Sequence, residues 1–494
     1  MTELLLPALV AIPAIGAALL AIAPRALGSR ALGIAAAVSA VDLVLALWAF
    51  VAFDPAAGEP AFVFERSWFS VGGIEARFAL GVDGLSILLL PLTALLSVVV
   101  FLCAPSHVRE RRRGFAILAL TMETGMLGVF AATDLVLFYF FWEVSLLPLY
   151  FIIGMWGGPR REIATVKFVL YTLAGSFLLL VALLALVLET GTTDLRDLAT
   201  RTLPRGLETW AFLGFAIGFA VKVPLFPFHT WLPDAHVEAP TSGSVVLAGV
   251  LLKMGTYGLL RICIPIFPHA AVQFAGVALA LGAAGIVYGS LLAWAQRDLK
   301  KLVACSSVAH LGLVVVGLFA LDPDAARGAL LHMVNHGLST GALFLLVGVL
   351  YDRTHRRGVD DFGGIAGKMP VFATLFLLAS FASIGLPGLN GFVGEFLVLE
   401  GTFRAAWPFA AISVAGVVLS AVYLLGAAKR VLFGPPRPTP PAETAPLTRA
   451  ELASLLPLAA LFVLLGLFPK PLLDRIGPAV DRALARIATA PENP

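Results

Sequence analysis

KVPLFPFHTWLPDAHVEAPTSGSVVLAGVLLKMGTYGLLR, residues 222–261, places two lysines where an apolar chain tolerates them least. Lys222 lies inside the run GFAIGFAVKVPLF and Lys253 inside VVLAGVLLKMGTYGLL. An ammonium at the centre of a membrane-spanning helix costs about 2.5–3.5 kcal/mol on insertion scales. Working outward, Glu143 stands in LVLFYFFWEVSLLPLYF and Glu395 in GFVGEFLVLEG. Chains that keep such groups in lipid usually move protons or ions with them. Pro224 and Pro227 interrupt the first run, so the same stretch also predicts a broken helix.

The flanking sequence is apolar throughout. The 494 residues are 59% hydrophobic and 13% charged, against about 25% charged in soluble domains. A spanning helix needs about 20 apolar residues. Fourteen segments meet that need: 3–23, 31–53, 83–104, 115–132, 134–154, 165–190, 209–234, 242–265, 271–294, 302–320, 329–350, 371–397, 410–431 and 451–469. Their runs are continuous rather than alternating, which excludes a membrane β-barrel. The fold class is an all-α polytopic membrane protein. With the N-terminus outside, the inner loops hold 20 of the 34 Lys and Arg residues. The positive-inside rule then places both termini on the outer side of the membrane. The first segment has no basic leader and no cleavage site, so it reads as a retained helix.

Several functions are excluded. Cys103, Cys263 and Cys305 form no CxxC pair, so the chain offers no cysteine set for an iron–sulfur cluster. No GxGxxG follows a strand, and GGIAGKMP lacks the spacing of a phosphate-binding loop. The chain therefore binds no nucleotide and passes no electrons on this reading.

Two stretches depart from the helical pattern. Residues 60–82 flank Gly72-Gly73 with half-apolar runs, the signal of a β-hairpin on the outer surface. Residues 434–448 are proline-rich and read as an extended linker. Past residue 469, PKPLLDRIGPAVDRALARIA predicts an amphipathic surface helix. Segment 12 is interrupted by Pro387 and Gly388, as segment 7 is by its two prolines. Paired broken helices five apart point to inverted repeats with the ion path at the breaks. The expected division is 1–114 (three helices and the hairpin), 115–265 and 271–431 (two five-helix repeats, segments 4–8 and 9–13) and 432–494 (linker, last helix, tail).

The titratable groups in these segments suit proton transfer. Burial and a nearby opposite charge act in opposite directions on a lysine or a glutamate, so a Lys beside a Glu is switchable. Glu143 and Lys222 are the candidate pair; a static ion pair that only fixes helix packing is the alternative. Lys253 would take the proton onward. His310 follows Ser306 and Ser307 by one turn, and His332 and His336 share a helix face. These histidines form either a relay between Lys253 and Glu395 or hydrogen bonds between helices. Metal binding by the HxxxH pair lacks the interposed glutamate of the zinc motif. Glu395 would release the proton outside, unless it serves a basic residue nearby. Glu123 is a supporting residue for Glu143 or a packing residue. His229, Asp234, His236 and Glu238 flank the break in segment 7 and either assist proton uptake or solvate the loop.

The opening stretch, with FYFFWEVSLLPLYFIIGMWGGPRRE, LKKLVACSSVAHLG and HMVNHGLSTGALFLLVG, closely resembles the antiporter-like membrane subunits of respiratory complex I. The resemblance covers nearly the whole chain. It implies fourteen helices, two inverted five-helix repeats and outward termini. It implies a bacterial inner-membrane location beside the sister subunits L and N, with FMN, iron–sulfur clusters and quinone in other subunits. Subunits L and N and the multisubunit sodium/proton antiporter chains typically carry lysine where this chain has Glu395. By the same resemblance Glu143 and Lys222 are the coupled pair, Lys253 the central lysine, His310 and His336 part of the central axis, and Glu395 the terminal residue.

Overall fold

The computed structural model describes residues 3–56, 60–437 and 444–489. Part of the proline-rich linker, 438–443, and the last five residues lie outside them. Among the described residues twelve helices are long and apolar enough to cross a membrane. They begin with α1 (Leu5–Ile22) and α2 (Ala31–Ala52). A two-stranded antiparallel hairpin follows, β1 (Ala61–Val71) and β2 (Ile74–Val82). Its turn is Gly72-Gly73, both at positive φ, the geometry a two-residue hairpin loop demands and glycine adopts without strain.

Then come α3 (Leu89–His107), α4 (Arg112–Ala131), α5 (Leu135–Trp156) and α6 (Arg161–Thr190). The predicted segment 209–234 is two helices, α7 (Arg205–Lys222) and α8 (Trp231–Glu238). Pro224 and Pro227 lack the N–H groups that would carry the helix across. The gap is held by Leu225 N–H to the Ala220 carbonyl (2.9 Å) and by Trp231 Nε1–H to the Val221 carbonyl (2.9 Å). Such satisfaction is what lets irregular backbone persist at membrane depth. The next helices are α9 (Thr241–Ile266), α10 (Pro268–Trp294), α11 (Leu299–Phe319) and α12 (Pro323–Thr354).

The predicted segments 371–397 and 410–431 are both present. The break after α13 (Pro370–Ser383) is at Ile384–Leu389, as Pro387 and Gly388 foretold, and α14 (Asn390–Phe433) is two helical stretches joined across a kink. It bends at Ala406, which has non-helical angles, because the ring of Pro408 obstructs the preceding turn. Last come α15 (Arg449–Leu467) and the amphipathic α16 (Lys470–Thr489). α16 is strapped across the hairpin end of the bundle. Arg327 binds Asp481 (2.5 Å), and the Arg475 guanidinium lies 4.4 Å over the Phe50 ring.

The core decides where polar groups sit. α9, α11 and α12 are buried almost all the way round, as expected of helices apolar on every side. The outward faces of α2, α6, α14 and α15 instead leave Val44, Leu170, Leu188, Phe403, Trp407 and Leu467 exposed. A Cβ on Gly394 would press on the His332 backbone at 3.0 Å. The missing side chain lets α14 close on α12 and delivers Glu395 to the histidines.

Candidate functional site

The site grows from α9. Its Leu247–Leu251 turn is widened to five-residue spacing, a local form frequent at functional positions. Lys253 is fully buried and donates to the Ala248 carbonyl of its own helix. Its Nζ also lies 2.7 Å from His336 Nδ1 on α12. With Lys253 protonated, Nδ1 must accept, so the imidazole proton sits on Nε2. From there it faces Ser307 Oγ of α11 at 3.2 Å.

Three imidazoles meet beyond this contact. The His310 ring lies 5.2 Å from His336 and 5.4 Å from His332, and those two are 6.5 Å apart. His310 Nδ1 is 3.9 Å from Glu395 Oε1, and its Nε2 is 3.4 Å from Ser383 Oγ. Both ring nitrogens of His332 are buried with no hydrogen-bond partner. A cavity of about 20 Å³ lined by His310, Glu395, Ser413, Ser420 and Tyr423 adjoins the cluster, room for about one water. Ligand-capable atoms of His310, His332 and Glu395 lie within 4.8 Å of one another. Among the described residues that trio, rather than the HxxxH pair, is the group of three spaced closely enough to hold a metal.

The second lysine sits apart. Lys222 is buried, its Nζ has no hydrogen-bond partner, and it lies 5.3 Å over the ring of Trp142. Glu143 is half-buried and accepts from Ser176 Oγ of α6, which also reaches Tyr139 Oη (3.3 Å). Among the described residues Glu143 and Lys222 make no ion pair within 4 Å, so the static pair is not the arrangement seen. Successive residues on a helix point about 100° apart: Trp142 meets the ammonium while Glu143 turns towards α6.

The secondary candidates divide. Glu123 is fully buried but accepts from Ser39 of α2 (2.5 Å), away from Glu143. The α4 face that meets α5 is made by Gly125 and Gly128 against Ser145 and Phe141, and Glu123 lies about 200° around the helix from Gly125. His229 is buried in the break, packed on Phe226 (5.7 Å) and Tyr288 (5.1 Å), with Nδ1 unpartnered. Asp234 pairs with Lys167 (2.7 Å), and Glu238 accepts from the Arg160 N–H (3.0 Å). Both acids thus tie the break to α6. His236 is fully buried, stacked 4.6 Å from Phe344, with both nitrogens unpartnered.

Sequence reading passed over Asp42 in AVDLVLAL, a fully buried acid whose oxygens have no partner. An acid inside an apolar run is the signal that would have found it. Ser383 and Tyr423 carry no such signal, since a hydroxyl in a spanning helix is commonplace.

Residues 132–421 match the family described as NADH:quinone oxidoreductase/Mrp antiporter, TM. Over 486 residues the chain is 44% identical to NADH-quinone oxidoreductase subunit M of Rhodobacter capsulatus, covering 95% of this chain and 94% of that one. Among solved structures it is similar to a chain of respiratory complex I from Thermus thermophilus with bound NADH. There the TM-score is 0.86 at 36% identity, over 98% of this chain and 100% of the other. A chain of the Mrp complex from Dietzia shares the fold at a TM-score of 0.86 and 21% identity, over 99% and 98% of the two chains. Relatives this similar over this much of their length leave one assignment: the chain belongs to the NADH:quinone oxidoreductase/Mrp antiporter transmembrane family.

Proposed function

We propose that this chain is a proton-translocating, non-redox membrane subunit of an NADH:quinone oxidoreductase in a bacterial inner membrane. NADH oxidation and quinone reduction take place in other subunits, which hold the flavin and iron–sulfur clusters. The observation that carries the proposal is the buried line from Lys253 through His336 and His310 to Glu395, with contacts of 2.7 Å and 3.9 Å at its two ends. A static scaffold has no need of it. Such groups inside a membrane bundle mark ion paths, and lone waters bridge the remaining steps at little entropic cost.

Glu143 and Lys222 form the coupling element. Glu143 is half-buried, within reach of a neighbouring subunit, and Lys222 is held without a fixed partner. A charge change beside them shifts whether Lys222 or Lys253 holds the proton. The sister subunits L and N are the proposed neighbours. The chain crosses fourteen times when the broken pairs α7–α8 and α13–α14 each count as one crossing and α14 turns back at Ala406. On this count both termini lie outside, and α4–α9 and α10–α14 form two inverted five-helix units.

The test is to tag the chain, extract its complex in mild detergent and assay NADH:quinone turnover. Turnover with copurifying flavin and iron–sulfur subunits supports the reading. A complex without redox subunits that exchanges sodium for protons overturns it.

A further inference from the structure

A proton path needs a mouth, and the axis described above stops at Lys253, fully buried. At the opposite end of the bundle from the hairpin lies a cleft of about 300 Å³. Its polar lining comes from Ser106 and His107 at the end of α3, Thr241 at the start of α9, Asp352 near the end of α12, and Thr448 and Glu451 at the start of α15. We infer that the His107–Asp352 pair in this cleft takes up protons from the inner solution and passes them along α9 to Lys253. The inference rests on the proton-path reading and on the inner placement of this end.

The pair is built for transfer rather than for a fixed bond. Ser106 Oγ donates to Asp352 Oδ2 at 2.6 Å and lies 3.1 Å from His107 Nδ1, while His107 Nδ1 is 3.7 Å from the same carboxylate oxygen. The Ser242 backbone N–H donates to His107 Nε2 at 3.3 Å, and Ser242 Oγ lies 2.9 Å from it. A backbone N–H can donate only to a bare nitrogen, so the neutral ring carries its proton on Nδ1, facing Ser106 and Asp352. The ring thus bridges the cleft carboxylate on one side and the start of α9 on the other. Other charges face the pair: Lys300 of α11 acts on Asp352, Glu451 of α15 lines the cleft, and Arg353 holds Glu451 at 2.7 Å. Lys300 itself donates to the Ala239 carbonyl at the end of α8.

The onward route is marked by polar atoms with unmet hydrogen bonds. Ser242 and Ala248, whose carbonyl binds Lys253, are six residues apart on α9, about 9 Å of rise. Ser244 Oγ donates to the His236 carbonyl (3.1 Å). Both His236 nitrogens and the Thr340 hydroxyl are buried and unpartnered. α12 presents one row of residues, four apart, beside this route. His336 meets Lys253, Thr340 is unpartnered, Phe344 stacks on His236, Gly348 has the Thr241 side chain against it, and Asp352 meets Ser106 and His107. Residues four apart form a continuous ridge on a helix surface. A side chain at 348 would strike Thr241; glycine there keeps the ridge close to α9. Unsatisfied buried polar atoms in series are the places where single waters settle.

The proposal is tested in the assembled complex, in inverted membrane vesicles whose bath contacts the inner face. His107→Gln keeps an oxygen to accept the Ser242 N–H but carries no proton; Asp352→Asn keeps the shape. Both are expected to lower NADH-driven acidification and coupled quinone reduction about 100-fold, the lower end of the range for lost acid–base groups. In His107→Ala, imidazole added to the bath is expected to restore turnover severalfold, which a merely structural role would not allow. Lys253→Met is run beside them. If Lys253→Met pumps normally, the proton-path reading itself falls. If Lys253→Met is inactive while His107→Gln and Asp352→Asn pump normally, the uptake proposal alone is overturned. An assembled His107→Ala complex that is inactive and deaf to imidazole overturns it as well.

Discussion

Gly385 and Gly388 allow the role of Glu395 to be separated from the stability of the break that carries it. Both lie between α13 and α14, with φ of +70° and +90°. An alanine at either position carries the same backbone penalty, about 1–2 kcal/mol for an L-residue in the left-handed region. Their surroundings differ. A Cβ on Gly388 meets nothing within 4 Å, whereas a Cβ on Gly385 lands on Oε2 of Glu395, far inside van der Waals contact. That oxygen is the tip of a flexible side chain, so it swings aside at small energetic cost, but away from a geometry in which Glu395 stands 3.9 Å from His310. A displacement of about 1 Å at a reacting group can slow a step up to about 100-fold. Gly385→Ala and Gly388→Ala are therefore expected to lower the melting temperature of the purified complex by similar amounts. Only Gly385→Ala is expected to depress acidification per NADH, to the level of Glu395→Gln. Vesicle acidification with a pH-sensitive dye, normalised to complex content, reads the difference. Equal pumping in the two glycine variants would refute the reasoning.

Three further outcomes follow from the geometry. Glu143→Gln retains the contact with Ser176 and Lys222→Ala removes an ammonium without a partner, so both should assemble and lose pumping together with coupled quinone reduction; normal pumping in either refutes the coupling role. Arg261 binds Asp83 through two bonds of 2.5 and 2.6 Å; Arg261→Leu strands that carboxylate and should destabilise the chain by about 3 kcal/mol, read as loss of assembled complex on native gels. Asp481→Asn breaks a half-exposed pair with Arg327 and should cost at most about 1 kcal/mol, leaving α16 docked and protected from added protease.

The hairpin, the amphipathic last helix and both helix breaks were legible in the residues, because each depends on local chemistry. Two glycines at positive φ, prolines without N–H groups and a one-sided apolar pattern act over a few residues, whatever the rest of the chain does. The cost of a buried charge is equally local, and it singled out Lys222, Lys253, Glu143 and Glu395 before any fold was known. Partnership is a different matter. Sequence reading could not give the direct contacts of Glu143 and Lys222, and it set Glu123 behind Glu143; in the folded chain Lys222 covers Trp142, Glu143 meets Ser176 and Glu123 meets Ser39. Spacing along a helix gives the direction of a side chain only relative to its own axis, and the rotation of that axis against its neighbours is set by packing. Glycines such as Gly125 and Gly394, by allowing close approach, decide which faces meet. The apolar runs and their interruptions thus determined by themselves that this chain spans a membrane with charges inside it. Only the packing of α9, α11, α12 and α14 decided that Lys253, His336, His310 and Glu395 form one line, because those contacts join residues as far as 85 positions apart that no local periodicity relates.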